Sequence, residues 1–213
     1  MALVSIDGSQ GEGGGQILRT ALSLSMVTGQ GFEMTRIRAQ RPQPGLRPQH
    51  LAALRAAALA CGARVGGAFD GSPDVRFEPG ALAAGDFRFE IATAGAATLV
   101  LQTILTPLSR ATEGSRIVVT GGTHVPASPF FDYLARHWSA VVGRMGFRFG
   151  LHLEKAGFYP PGGGEVRAEV QPAALVPGPF VLEERGALVA VRGVSAAARL
   201  KSQVAQRQRE AAA

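Results

Sequence analysis

Between Asp7 and Arg19 the chain reads Asp7-Gly-Ser-Gln-Gly-Glu-Gly-Gly-Gly-Gln-Ile-Leu-Arg19, with five glycines and Glu12 ahead of an apolar run. Glycine lets a backbone take conformations closed to other residues and come close to a ligand. The first amides of a helix starting here would be unpaired, and such amides attract phosphate oxygens. Glu12 fits that setting only if a cation lies between it and the phosphate, so the loop suggests metal-bridged phosphate chemistry. The plainer reading is a tight strand-to-helix turn. It is not a P-loop, because no Gly-Lys-Ser/Thr follows.

A second stretch, Arg36-Ile-Arg-Ala-Gln-Arg41-Pro-Gln-Pro-Gly-Leu-Arg47-Pro-Gln-His50, sets four arginines between a strand and a helix start. Alternation along a strand Glu33–Ala39 would put Arg36 and Arg38 on one face. The prolines stiffen the loop. Arg38, Arg41 and Arg47 held this way read as an anion clamp, against the alternative of a solvated charge run.

Three further stretches carry polar chemistry. Thr93-Ala-Gly-Ala-Ala-Thr98 offers small residues and hydroxyls but no carboxylate. Gly121-Gly-Thr-His124 with Ser128-Pro-Phe-Phe-Asp-Tyr133 offers an imidazole, a carboxylate and rings able to stack on a base. Gly157-Phe-Tyr-Pro-Pro-Gly-Gly-Gly-Glu165 has more special residues than a hairpin needs, which suggests close approach by a ligand or another backbone. Taken singly, His50, His124, His137 and His152 read as hydrogen-bonded structural histidines.

The elements that must position these stretches form a repeat. Leu18-Arg-Thr-Ala-Leu-Ser23 is matched by Leu101-Gln-Thr-Ile-Leu-Thr106, so Gln102 takes the position of Arg19. Each half runs strand (Val4–Asp7; Phe87–Ile91), helix (Gly15–Val27; Ala97–Leu108), strand (Glu33–Ala39; Arg116–Thr120), helix (Pro48–Cys61; Pro129–Met145). Two strands close it (Ala63–Gly66 with Asp74–Glu78; Phe147–Glu154 with Glu165–Val170). Apolar residues recur every three or four positions at Leu51, Leu54, Ala58 and Cys61, and again at Phe131, Leu134, Trp138, Val141 and Met145. Proline opens both second helices. The predicted fold is α/β (α+β): tandem βαβαββ units, each a four-stranded sheet covered by two helices. Residues 1–80 and 81–180 are the first and second units. Residues 181–213 start a third, incomplete unit or inserted domain, with a strand at Leu188–Arg192 and a basic helix at Ala197–Ala212.

Composition sets outer limits. The chain has 213 residues, 46% apolar and 18% charged, with net charge +6, which is ordinary for a globular protein. Lys155 and Lys201 are the only lysines, and arginine's planar fork favours phosphate, so nucleic acid or nucleotides lead the candidate partners. Genome composition would account for part of that excess. Cys61 stands alone, so neither a disulfide framework nor a zinc-ligand set is expected. The apolar stretch 92–108 is too short and too interrupted for a membrane span, and no signal peptide is visible, so a cytoplasmic location is expected.

Together these motifs resemble the RNA 3′-terminal phosphate cyclase family. The resemblance rests on Asp7–Thr20, Arg41–His50, Leu99-Val-Leu-Gln-Thr103, Gly121–His124 with Ser128-Pro, and Gly157–Glu165, in order across roughly the first 170 residues. Arg192-Gly-Val-Ser and Val204-Ala-Gln-Arg are similar to the family's entry into a small inserted domain. The resemblance implies a ligase-class reaction with ATP and Mg²⁺ or Mn²⁺, acting on RNA with a 3′-phosphate end. A histidine attacks the α-phosphate of ATP and pyrophosphate leaves. AMP then passes to the RNA 3′-phosphate, and the 2′-hydroxyl expels it to leave a 2′,3′-cyclic phosphate. The resemblance assigns metal binding to Glu12, ATP contact to Gln102 and nucleotide approach to Asp132 and Tyr133. Arg19, Arg38, Arg41 and Arg47 are expected to hold phosphate. The family's nucleophilic histidine lies in a C-terminal segment without a counterpart here, so the chain is expected to be C-terminally truncated and inactive alone. A homodimer is compatible with all of this. Two other readings are a non-catalytic RNA-binding protein of RNA processing or ribosome biogenesis, and a small-molecule transferase of enolpyruvyl type. Glu12 and Gln102 disfavour the first, and the Arg41–His50 and Gly157–Glu165 motifs the second.

Overall fold

The computed structural model describes residues 2–11, 13–174 and 180–212. The chain forms two compact units, Met1–Val176 and Pro177–Ala213.

The first unit holds two four-stranded sheets of identical topology, an α/β fold as the sequence pattern predicts. In the first sheet β1 (Val4–Asp7) runs parallel to β2 (Phe32–Thr35), which pairs antiparallel with β4 (Val75–Glu78), and β4 with β3 (Arg64–Gly66). The order β1-β2-β4-β3 recurs as β5-β6-β8-β7, built from Asp86–Glu90, Ser115–Gly121, Gly164–Gln171 and Arg148–Lys155. Alternation is clean where one face is buried. Val166, Ala168 and Val170 point to the core, while Arg167, Glu169 and Gln171 face water.

Helices α1 (Gly15–Thr28), α2 (Pro48–Cys61) and α3 (Ala97–Leu108) pack against one another. Leu18 and Leu22 of α1, Leu54 of α2 and Leu101, Ile104 and Leu105 of α3 are fully buried. A single hydrophobic core therefore serves both sheets. The repeat match meets at this junction, where Ser23 Oγ of α1 donates to the Thr103 carbonyl of α3 at 2.7 Å.

Four sequence expectations are corrected. The second strand ends at Thr35, not Ala39, and Arg36 and Arg38 both take left-handed backbone (φ 54°). They belong to a turn, so strand alternation does not set their directions. The fourth helix is not a continuous α-helix over Pro129–Met145. It passes through a π-helical stretch, Tyr133–Trp138, into α4 (Ser139–Gly143). The wider turn rotates the later positions out of register, so Phe131 and Leu134 are buried whereas Met145 is exposed. In the second unit no strand forms at Leu188–Arg192, and Val189 and Val191 are almost fully exposed. A strand needs a partner to pair its amides, and none forms among the described residues of that unit. Its helix α5 spans Gln203–Ala212 rather than beginning at Ala197.

Candidate functional site

The loop after β1 is tied down at its start. Asp7 Oδ1 accepts from the Ser9 amide at 3.0 Å and the Ser9 hydroxyl at 2.7 Å, and Asp7 forms an ion pair with Arg36. That guanidinium, with the two Ser9 bonds, holds the Asp7 carboxyl down at about 2. Arg36 is thereby committed to the loop's foundation. At the far end α1 begins after Gly14 with neither a side-chain cap nor an acidic residue in its first turn, which leaves its amides available to an anion. Glu12 lies outside the described residues.

The arginine loop is equally fixed. Ile37 and Leu46 are buried, the Ile37 amide donates to the Pro73 carbonyl (2.8 Å), and Leu46 to Ser72 (2.9 Å). Arg38 Nη1 donates to the carbonyls of Gln43 (2.7 Å) and Gly45 (2.9 Å), so its side chain braces the loop from inside. Arg47 immediately precedes α2, followed by Pro48 at the first helical turn, and faces Asp70 at 3.6 Å.

The two loops meet at His50. Its Nδ1 accepts the Arg47 amide at 3.1 Å, which leaves the proton on Nε2 in the neutral ring. Nε2 faces Gly15, where any side chain would collide with the imidazole, and Arg19 Nη1 stands against the same point at 3.2 Å. A methyl on Gly14 would lie 3.3 Å from Arg41 Nη2. Glycine is needed at Gly15 because another side chain occupies the space a Cβ would fill. His50 is 4% exposed. Burial, then Arg38, Arg19 and Arg47, push its pKa down to about 3. Arg38 is itself lowered by burial and by the charges of Arg41 and Arg47, and Arg19 by burial. Like charges gathered around half-buried guanidiniums favour an anion among them. Arg19, Arg38, Arg41 and Arg47 are thus brought together at two helix N-termini.

Arg19 also reaches a cleft of about 320 Å³ between α1 and α3, lined among others by Thr20, Gln102, Thr103 and Trp138. The repeat-equivalent residues Arg19 and Gln102 therefore line one cleft. Asp132 and Tyr133 stand in a different cluster. Asp132 bonds His124 Nε2 (3.3 Å) and Arg136 Nε (3.1 Å), and Thr123 Oγ1 meets His124 Nδ1 at 2.8 Å. The Tyr133 ring lies tilted against His137 (5.2 Å) and Phe130 (6.5 Å). Neither His50 nor Trp138 is singled out by the sequence as a site residue. For His50 a signal existed, since it falls three residues after a helix-capping position with proline between.

The second repeat lacks the open helix start of the first. The Ala97 amide that opens α3 donates to the Gly122 carbonyl at 2.8 Å, and Thr98 Oγ1 donates to the Pro129 carbonyl at 2.6 Å. Among the described residues no three His, Cys, Asp or Glu side chains gather as a metal cage.

Arginines gathered at paired helix N-termini on a repeated α/β unit form a cationic cluster of the kind that suits an anion. A sequence model of the RNA 3′-terminal phosphate cyclase family matches residues 10–196, and the chain belongs to that family. It is 51% identical over 210 residues to an RNA 3′-terminal phosphate cyclase of Ralstonia nicotianae, covering 99% of this chain and 60% of the relative. Its identity to a Pseudomonas fluorescens cyclase is 50% over 206 residues, covering 97% and 59%. Against a Salmonella agona cyclase it is 52% over 184 residues, covering 86% and 53%. The chain thus spans 60% or less of these relatives' length.

Proposed function

We propose that this chain is the phosphate-holding part of an ATP-dependent RNA 3′-phosphate cyclase. The observation that carries the reading is the convergence of Arg19, Arg38, Arg41 and Arg47 on the uncapped start of α1. In this reading Arg41 and Arg47 orient phosphate oxygens, Arg38 keeps the loop rigid beneath them, and His50 adds a neutral N–H donor. Arg19 spans the phosphates and the cleft in which Gln102 contacts the nucleotide. Asp132 and Tyr133 approach its base. Positioning and charge stabilisation of this kind lower the barrier to transfer at phosphorus, whichever group acts as nucleophile.

A divalent ion suits the donor set. Mg²⁺ is commonly held by one or two carboxylates with the substrate's own phosphates and water. Glu12, between β1 and α1, would be its protein ligand, and the ion would neutralise triphosphate charge. The histidine that accepts AMP is assigned to the family's C-terminal motif, to which none of His50, His124, His137 or His152 corresponds. A cytoplasmic setting is part of the same proposal, as is RNA with a 3′-phosphate as substrate. No helix among the described residues is long and apolar enough to cross a membrane.

Thermal unfolding with and without ligand tests the reading. Saturating Mg·ATP should raise the midpoint, since a ligand at one hundred times its Kd stabilises by about 2.7 kcal/mol. Arg41→Ala should remove most of that rise. A midpoint unmoved by ATP, with RNA still bound, would instead indicate a non-catalytic RNA-binding protein.

A further inference from the structure

Phe158 and Tyr159 are 39% and 68% exposed, yet the turn beneath them is held on every side. The Gly157 amide donates to Thr123 Oγ1 at 2.9 Å, and its carbonyl accepts from the amides of Thr123 (2.8 Å) and His124 (3.0 Å). The Gly162 amide closes the turn on the Phe158 carbonyl at 2.7 Å. A methyl on Gly162 would come within 2.8 Å of Ala94 Cα, and one on Gly157 within 2.6 Å of the Gly121 carbonyl. The glycine excess of this segment thus serves backbone-on-backbone packing, and what it fixes is the position of two exposed rings. Rings that add little to the core but are rigidly presented mark a recognition surface.

Phe158 continues a row, with Tyr159 next to it in the chain. Phe158 stacks on His124 at 5.2 Å, and His124 on Phe130 at 6.3 Å, with Phe130 half exposed. The row is linked to the cationic cluster through the loop 94–96 and Gln49. Gly162 rests on Ala94, a methyl on Gly95 would touch Gln49 Cβ at 3.0 Å, and the Ala96 amide reaches Gln49 Oε1 at 3.4 Å. Gln49 lies between Arg47 and His50 in α2. An anion held by the arginines therefore sits one loop away from a flat aromatic surface.

We propose that Phe158 and Tyr159 form a stacking shelf for the last bases of single-stranded RNA whose 3′-phosphate lies in the arginine cluster. The inference rests on the phosphate reading above. Stacking reads a base by its face and tolerates any sequence, which suits recognition of an end rather than of a motif. The positive cluster complements the adjoining backbone.

The test measures binding of the 213-residue chain, by fluorescence anisotropy, to two oligoribonucleotides ending in 3′-phosphate. One is intact and the other lacks its last two bases. The intact strand should bind about tenfold tighter. Tyr159→Ala should shrink that difference several-fold by weakening the intact strand alone, and Tyr159→Trp should preserve it in full. A Tyr159→Ala protein that retains the difference, weakens both strands equally, or loses ATP but not RNA binding overturns the shelf. Failure of the phosphate reading shows separately, as equal affinity for 3′-phosphate and 3′-hydroxyl ends of the intact strand.

Discussion

His50 shows how one residue sets the character of the site. A charged imidazole would add a cation to a pocket already holding Arg19, Arg38 and Arg47, so burial and those charges keep the ring neutral down to about pH 3. The unfolded chain binds this proton near pH 6.5, so between about 3 and 6.5 the unfolded state holds more protons and is favoured as pH falls. The stabilising contribution is complete above about pH 6.5 and fades below it, a loss of about 5 kcal/mol at most. His50→Gln keeps an acceptor for the Arg47 amide but cannot titrate. Denaturant melts should therefore show a flatter pH profile for the variant over that window, and identical slopes would contradict the assignment. Gly15→Ala is the complementary change. Its methyl meets the His50 ring, so it should cost about 1–3 kcal/mol of stability and weaken ATP binding, as differential scanning and calorimetric titration would register. The arginines were legible from type and spacing alone. Their separate duties were not, because Arg36 pairs with Asp7 and Arg38 with loop carbonyls, contacts fixed only by the folded turn.

At the scale of elements, two copies of one βαβαββ plan have diverged at their helix starts. The opening of α1 is uncapped, whereas the first amide of α3 is taken by the Gly122 carbonyl. The open helix start thus belongs to the first copy. The order of strands and helices could be read from hydrophobic period and from the proline starts. The π-helical stretch Tyr133–Trp138 could not, since apolar spacing at Phe131, Leu134 and Trp138 suits an ordinary helix as well. The turn at Gly157 was legible as unusual but not in purpose. Its role as a backbone-packing wedge depends on Gly121 and Gly164, which other elements bring to it. Gly157→Ala should accordingly destabilise the protein by about 2 kcal/mol or more through backbone displacement. A thermal midpoint equal to the parent's would show that the wedge is not tight.

Across the first unit, a shared core of α1, α2 and α3 joins the two sheets, and the arginine cluster lies at the helix ends of that core. The net charge of +6 is consistent with a polyanionic partner, but charge alone does not distinguish an RNA end from an RNA backbone. Affinity for backbone falls with salt equally for every end group, whereas an end-reading cluster adds a term that depends on the terminal phosphate. The most direct measurement is therefore the ratio of dissociation constants for one oligoribonucleotide ending in 3′-phosphate and the same strand ending in 3′-hydroxyl, at fixed salt. A charge-assisted phosphate contact of about 1.5–3 kcal/mol predicts a preference of roughly tenfold or more for the phosphate end. Equal affinity for the two ends would contradict the assignment of Arg19, Arg38, Arg41 and Arg47 to a terminal phosphate.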